Sequence, residues 1–308
     1  MVEHTLAATN AVVTLDVPLP DIFWGWFVTM NMWAKSIGTG LIFMLFLLLR
    51  KNANEVDNGL RTKTLIVSFI MMNIFLLFTL ADLHQPFRMW HIFFYPHWTS
   101  AITVGAWMAT VFVGLEFVMI AVMIRKEKCL LTKEPTTFFD KTLFWVTLLA
   151  IPVTLYTAGI MAEATARELW QMPTEAVQMI LAATLSGSAA IILLGGSKLS
   201  DETKSFFASI LGLSALMAFI IYMSEYIFGA MKAEEAAAIL DYVKGDGEYA
   251  TMFWIGQWVA YILPMILVAL YRVSRSSAML NLAAILAIVG LWVVKHVWLV
   301  IPQLLPLS

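Results

Sequence analysis

Three groups of residues in this sequence have the types and spacing to do chemistry. Asn31 and Lys35 stand four apart, so on a helix they share one face and present an amide and an ammonium together. Tyr156, Gly159, Glu163 and Arg167 are spaced three, four and four apart and form one polar stripe. Pro152, just before that stripe, can kink a helix and free a carbonyl. A phenol and a carboxylate on one face can hydrogen-bond a carbonyl ligand and relay its proton. The third group is the stretch from Ala81 to Ser100, which carries Asp82, Arg88, a belt of aromatics and His84, His91 and His97, three of the chain's five histidines. Lys295 and His296 add a cation and an imidazole, but neighbours on a helix point about 100° apart, so at most one of them faces a shared cavity.

The elements that must hold these groups are membrane helices. Of 308 residues, 61% are hydrophobic and 13% charged, against about 25% charged in a soluble domain. Apolar runs of roughly 20 residues recur along the whole chain, the length a helix needs to cross a bilayer. Hydropathy places eight of them near Ile22–Leu49, Thr64–Ala81, Trp98–Ile124, Thr142–Ala162, Thr174–Gly195, Ser205–Gly229, Thr251–Tyr271 and Met279–Ile301. All should be α-helical, because a lipid-exposed backbone must satisfy its own hydrogen bonds. The connections are too short to fold alone, so residues 1–308 form a single transmembrane domain. No Lys or Arg precedes Lys35, so the first run lacks the basic start of a signal peptide and is expected to stay as a spanning helix.

The same inventory excludes several classes. A net charge of −2 argues against a nucleic-acid partner. The single cysteine, Cys129, allows no internal disulfide and no cysteine-ligated iron–sulfur cluster. A haem held by two histidines needs them on facing helices, yet His4 is in the tail, three share one connection, and only His296 is deep in a span. The three clustered histidines match no usual zinc-ligand spacing, so no metal is expected there.

Basic residues set the orientation. The connections after the first, third, fifth and seventh spans hold thirteen Lys and Arg; the opposite side holds four, Arg88, Arg167, Lys232 and Lys244. Both termini and the Asp82–Ser100 stretch therefore belong on the outer face. In that frame Trp24, Asn31, Lys35, Tyr156, Glu163, Tyr222, Glu225, Lys295 and Asp82 all fall in the outer halves of their helices. Charge in hydrocarbon costs about 2.5–3.5 kcal/mol or more per group, so it marks a partner or a wet cavity. A polar cavity opening outward is expected, with Glu116 alone well inside the inner half. Lys35 lies roughly 20 Å below the outer end of its span, which is deep for a lysine that merely snorkels.

At this point the chain resembles a family, the NrfD/PsrC-like membrane subunits of the polysulfide-reductase type. The resemblance rests on Trp24-Gly25-Trp26 running into Gly38 and Gly40. It rests next on Asp82-Leu83-His84-Gln85-Pro86 with Arg88, Trp90, Thr99-Ser100 and Gly105. It rests last on Tyr156-Thr157-Ala158-Gly159 followed by Leu169-Trp170 and Ser186-Gly187-Ser188-Ala189. His84 stands where the family commonly has Gly, Ala101 where it often has Pro, and Ala158 is an extra residue in the usual Tyr-Thr-Gly.

The resemblance implies an all-α integral membrane protein of two four-helix bundles that binds a quinone, menaquinone or ubiquinone, and carries no metal, haem or iron–sulfur cluster of its own. It implies a ferredoxin-like iron–sulfur subunit on the outer face and a molybdopterin catalytic subunit in the same complex, in a bacterial or archaeal inner membrane. By match to the family's motifs, Asn31 and Tyr156 hold the quinone oxygens and Asp82 is the motif's acid. Trp24 and His91 complete the quinone's surroundings, while Lys35, Asp82 and Glu163 handle protons. The Asp82–Ser100 stretch then reads as an outer lid whose Arg88, Trp90, Phe94 and Trp98 meet the partner. The alternative is a secondary transporter with an outward-open polar cavity, although no internal repeat of the kind such proteins show is evident.

Overall fold

The computed structural model describes residues 22–53, 57–128, 136–165 and 167–305. His4, Cys129 and Lys133 lie outside the described residues, as do both chain ends.

Eight helices are long and apolar enough to cross a membrane, and no strand occurs among the described residues. In chain order they are α1 (Trp26–Asn52), α2 (Asn58–Asp82), α4 (Ala101–Lys128), α5 (Thr136–Glu163), α6 (Met172–Gly195), α7 (Asp201–Phe228), the pair α9 (Ala250–Gln257) and α10 (Leu263–Ser274), and α11 (Ser277–Val300). Two short helices lie in connections, α3 (His91–Phe94) and α8 (Glu234–Asp241). Most spans run several residues past their hydropathic cores. Hydropathy registers only the apolar centre, whereas backbone hydrogen bonding continues through polar residues such as Asn58, Arg61 and Lys63. A side chain fixes the start of α2, where Asp57 accepts from the Leu60 N–H at 2.6 Å.

Between α9 and α10 one π turn, Trp258–Ile262, widens the seventh span. Pro264 follows and has no N–H to give the carbonyl four residues back, so the helix changes register there.

The helices close into two four-membered rings. In the first, α1 packs on α2, α2 on α4, α4 on α5 and α5 on α1; in the second, α6, α7, α9–α10 and α11 do the same. The two-bundle architecture is thus present. The rings join where α1 lies against α6, and these two are the most buried spans. Small residues make that contact possible. A Cβ added at Gly40 would stand 2.1 Å from the Ala183 carbonyl oxygen, and one at Gly187 would stand 2.3 Å from the Gly40 carbonyl oxygen. Backbone touches backbone there, as small residues allow between membrane helices. On the lysine-rich face two ion pairs also cross between the rings, Lys198–Asp57 at 2.5 Å and Lys51–Glu202 at 2.7 Å. The Lys198 ammonium and the Leu60 N–H hold the Asp57 carboxyl below the usual range. Both pairs are exposed, so each contributes little to stability.

The seam gives a direct test. Gly40→Ala should lower the apparent melting temperature in detergent, corresponding to a loss of about 1–3 kcal/mol from overpacking. Gly114→Ala, where an added Cβ meets nothing within 4 Å, should leave it unchanged or raise it slightly, since Ala is the better helix former by about 1 kcal/mol.

Candidate functional site

Inside the first ring, at the end opposite the lysine-rich face, the four helices part around a cavity of about 340 Å³. Its walls are mainly apolar, with Met32, Phe75, Leu76, Ile160, Met161 and Leu299 among them. Six residues bring polar groups to it: Asn31 from α1, Thr79 and Asp82 from α2, His84 from the following turn, and Tyr156 and Thr157 from α5. An apolar chamber with a few convergent polar groups is the usual form of a small-molecule site.

Each polar group is set by a helix contact. The Asn31 amide donates to Thr79 Oγ1 at 2.5 Å, and Thr79 in turn donates to the Phe75 carbonyl at 2.8 Å. This ties α1 to α2 and leaves the amide oxygen of Asn31 as an acceptor to offer. The Tyr156 ring packs against α4 at Gly105, where an added Cβ would come within 2.3 Å of it. Glycine at position 105 therefore decides how close Tyr156 sits to the cavity. Lys35, one turn beyond Asn31 and fully buried, does not line the cavity. Its ammonium donates to Thr157 Oγ1 and lies 4.4 Å from the Tyr156 ring centre. It backs the α5 wall through a hydrogen bond and a cation–π contact. Trp24 stacks on Trp170 with centroids 5.2 Å apart. The Gln303 side-chain amide holds the entering chain, accepting from Trp24 N at 2.9 Å and donating to its carbonyl at 3.0 Å.

Leu76, Thr79, Leu83, Ile92 and Ala106 also line a second, apolar groove of about 610 Å³ on the outside of α2 and α4. Leu77, with 60% of its surface exposed, and Met89 lie along it. The chamber and the groove therefore share a wall between α2 and α4, with the groove on its lipid-facing side.

The structure does not bring every expected residue to this place. His91 is exposed and packs on Trp90, its ring centre 3.9 Å away. Because α3 is one short turn, Ile92 rather than His91 faces the cavity, and His84 supplies the imidazole. Glu163 is exposed at the end of α5, and Arg167 does not pair with it, donating instead to the carbonyls of Pro302 at 2.5 Å and Leu305 at 2.7 Å. His296 serves packing, with Nδ1 2.9 Å from Thr29 Oγ1 and its ring stacked on Trp292.

A second buried polar cluster was missed from sequence. Glu175 of α6, 1% exposed, accepts from the Trp298 indole at 3.1 Å beside Lys295, Gln178 and Tyr222. Its signal was available, since Glu175 and Gln178 are three apart on one helix face, but both fall at the hydropathic edge of the span. Met32, Met161 and Leu299 line both this cluster and the cavity and so form the partition between them.

The fold defines a multi-pass helical membrane protein, and its first ring holds a mainly apolar cavity with a few polar groups. Residues 18–305 match the family described as polysulphide reductase, NrfD, and the chain belongs to that family. It is 21% identical over 298 residues to one of the polypeptides of the polysulfide reductase of Wolinella succinogenes, covering 89% of this chain and 92% of that one. It is 22% identical over 318 residues to one of the subunits of the selenate reductase of Mesobacillus selenatarsenatis, covering 91% of this chain and 73% of that one.

Glu175 offers a test of the second cluster. Glu175→Leu should strand the Trp298 N–H and the neighbouring Lys295 ammonium and cost at least about 2–3 kcal/mol in thermal unfolding. Glu175→Gln, which keeps an acceptor oxygen for Trp298, should cost clearly less.

Proposed function

We propose that this chain is the quinone-reactive membrane subunit of a respiratory reductase complex. In this reading it exchanges electrons between the membrane quinone pool and an iron–sulfur subunit that serves a molybdopterin catalytic subunit. The observation that carries the reading is the shape of the site: a chamber with six polar residues that shares a wall with an apolar groove on the lipid-facing side. A molecule with a polar head and a long apolar tail, soluble only in the membrane, fits both parts. A water-soluble transport substrate would have no use for the lateral groove.

A quinone couples the transfer of two electrons to that of two protons, so its site needs hydrogen-bond partners for two oxygens and a titratable group within reach. Asn31 and Tyr156 hold the head group from facing helices, with the Tyr156 phenol pinned against Gly105. Asp82, at the last turn of α2, receives or returns protons at the cavity mouth, with His84 beside it. Lys35 acts behind Tyr156 and Thr157 by fixing their positions. Glu163, exposed on α5, takes no part in this scheme. Among the described residues, Glu116 is the buried carboxyl placed to extend proton transfer toward the lysine-rich half, with Oε1 2.5 Å from Ser68 Oγ.

The partner's seat is the surface over the cavity. Phe87, Trp90, Phe94, Tyr95 and Trp98 are all exposed there, Phe87 at 92%. Aromatics in that number beside Arg88 suit the centre of a protein interface. Both relatives are named as single components of their reductases, which fits a subunit that works beside others. On the charge asymmetry of its connections this face lies outside a bacterial or archaeal inner membrane, and the lysine-rich face inside.

Tyr156→Phe and Asn31→Ala, each made in the assembled complex, should reduce quinol-dependent turnover at least about tenfold, the scale of a lost hydrogen bond to a charged or reacting group. Turnover of the catalytic partner with an artificial dye should stay intact. Unchanged quinol turnover in both variants would remove these residues from the site.

A further inference from the structure

A second pocket, of about 550 Å³, lies at the lysine-rich end of the first ring, between α1, α2 and α5. It belongs to neither the quinone chamber nor its groove. Among the described residues, Arg50, Arg61 and Lys141 line it with one acid, Asp140, so the described lining is net positive. Its other side is apolar, formed by Phe46, Leu143, Phe144 and Trp145. Trp145 and Phe144 are exposed on the membrane-facing surface of α5, Trp145 at 64%.

Arg61 is the unusual member. It is 8% exposed, and its Nε is buried with no hydrogen-bond partner among the described residues. Its guanidinium lies 5.3 Å from the Phe139 ring centre, a contact that holds the cation in place without accepting a hydrogen bond from Nε. A buried, unpaired guanidinium donor is costly, and such groups are nearly always met by a partner. Arg50, stacked on Phe46 at 5.2 Å, and Lys141 stand at the exposed rim. Guanidinium groups match phosphate oxygens in fork geometry. Three cations over a strip of lipid-facing aromatics complement a phosphate joined to acyl chains.

We propose that this pocket binds the phosphate headgroup of an anionic membrane lipid, with Arg61 and Lys141 on the phosphate and the acyl chains along Phe144 and Trp145. The shared chemistry is phosphate recognition. The exposed aromatic side favours a lipid over free phosphate, because an inorganic ion would leave it unused. Basic pockets between helices at the inner face are suited to such headgroups. The inference does not depend on the quinone reading.

The test uses the purified full-length chain in mild detergent, with thermal unfolding and native mass spectrometry as readouts. The probes are dioleoylphosphatidylglycerol, dioleoylphosphatidylcholine and inorganic phosphate. The expected result is a rise in melting temperature and a retained adduct with the glycerol lipid, with neither the choline lipid nor phosphate doing the same. Arg61→Gln and Lys141→Gln should each weaken phosphatidylglycerol binding about fivefold, one basic contact apiece. Lys141, exposed at the rim, keeps the test valid if the Arg61 variant fails to fold. An equal effect of the two lipids would overturn headgroup recognition. Saturation by inorganic phosphate would overturn the lipid as occupant. Undiminished phosphatidylglycerol binding in the Lys141 variant, or in a folded Arg61 variant, would overturn the location.

Discussion

No side chain fits between α1 and α6 at Gly40 and Gly187, and much of the site follows from that contact. A helix whose backbone is pressed against another has its rotation fixed. At 3.6 residues per turn, Asn31 lies about 180° around α1 from Gly40 and Lys35 about 140°. The seam that joins the two rings therefore turns the amide and the ammonium into the first ring. There Asn31 meets Thr79 and Lys35 meets Thr157. A residue with a side chain at either glycine would push the rings apart and rotate the polar pair away from α2 and α5.

The second organising constraint is the cost of charge inside hydrocarbon. The deep ionisable groups of this chain are gathered rather than scattered. Lys35 is placed with Thr157 and Tyr156, Glu116 with Ser68, and Glu175 with Trp298 near Lys295. The partition of Met32, Met161 and Leu299 keeps the Glu175 cluster out of the cavity. A ligand in the first ring thus meets a short set of polar groups on otherwise apolar walls.

Much of the fold was legible in the sequence because hydropathy acts over whole segments. The eight spans could be read before any coordinate, since a helix twenty residues long tolerates small errors at its ends. Helical spacing put Asn31 and Tyr156 each on a polar face of its own span, and only the family resemblance paired them across helices. Legibility failed where one turn decides. His91 and Ile92 are neighbours on a single-turn helix, and no periodicity says which faces in. Glu163 sits at a helix end, where a carboxylate can turn to solvent without cost. Glu175 fell at a span boundary, and only packing by α11 shows that it is buried. The lateral groove was beyond the sequence altogether, because it is a recess formed where α2 and α4 pack and no residue pattern encodes its shape.

The central claim is that the head group lies among Asn31, Asp82 and Tyr156 and that the tail leaves between α2 and α4. A quinone carrying photoreactive groups on both head and tail, crosslinked to the complex and mapped by peptide mass spectrometry, measures both at once. Head adducts are predicted on residues of the first-ring cavity, and tail adducts on the outer side of α2 from Phe69 to Leu80 and on Ala106–Thr110 of α4. Head adducts in the second ring beside Glu175 and Lys295, or tail adducts confined to other helices, would contradict the account.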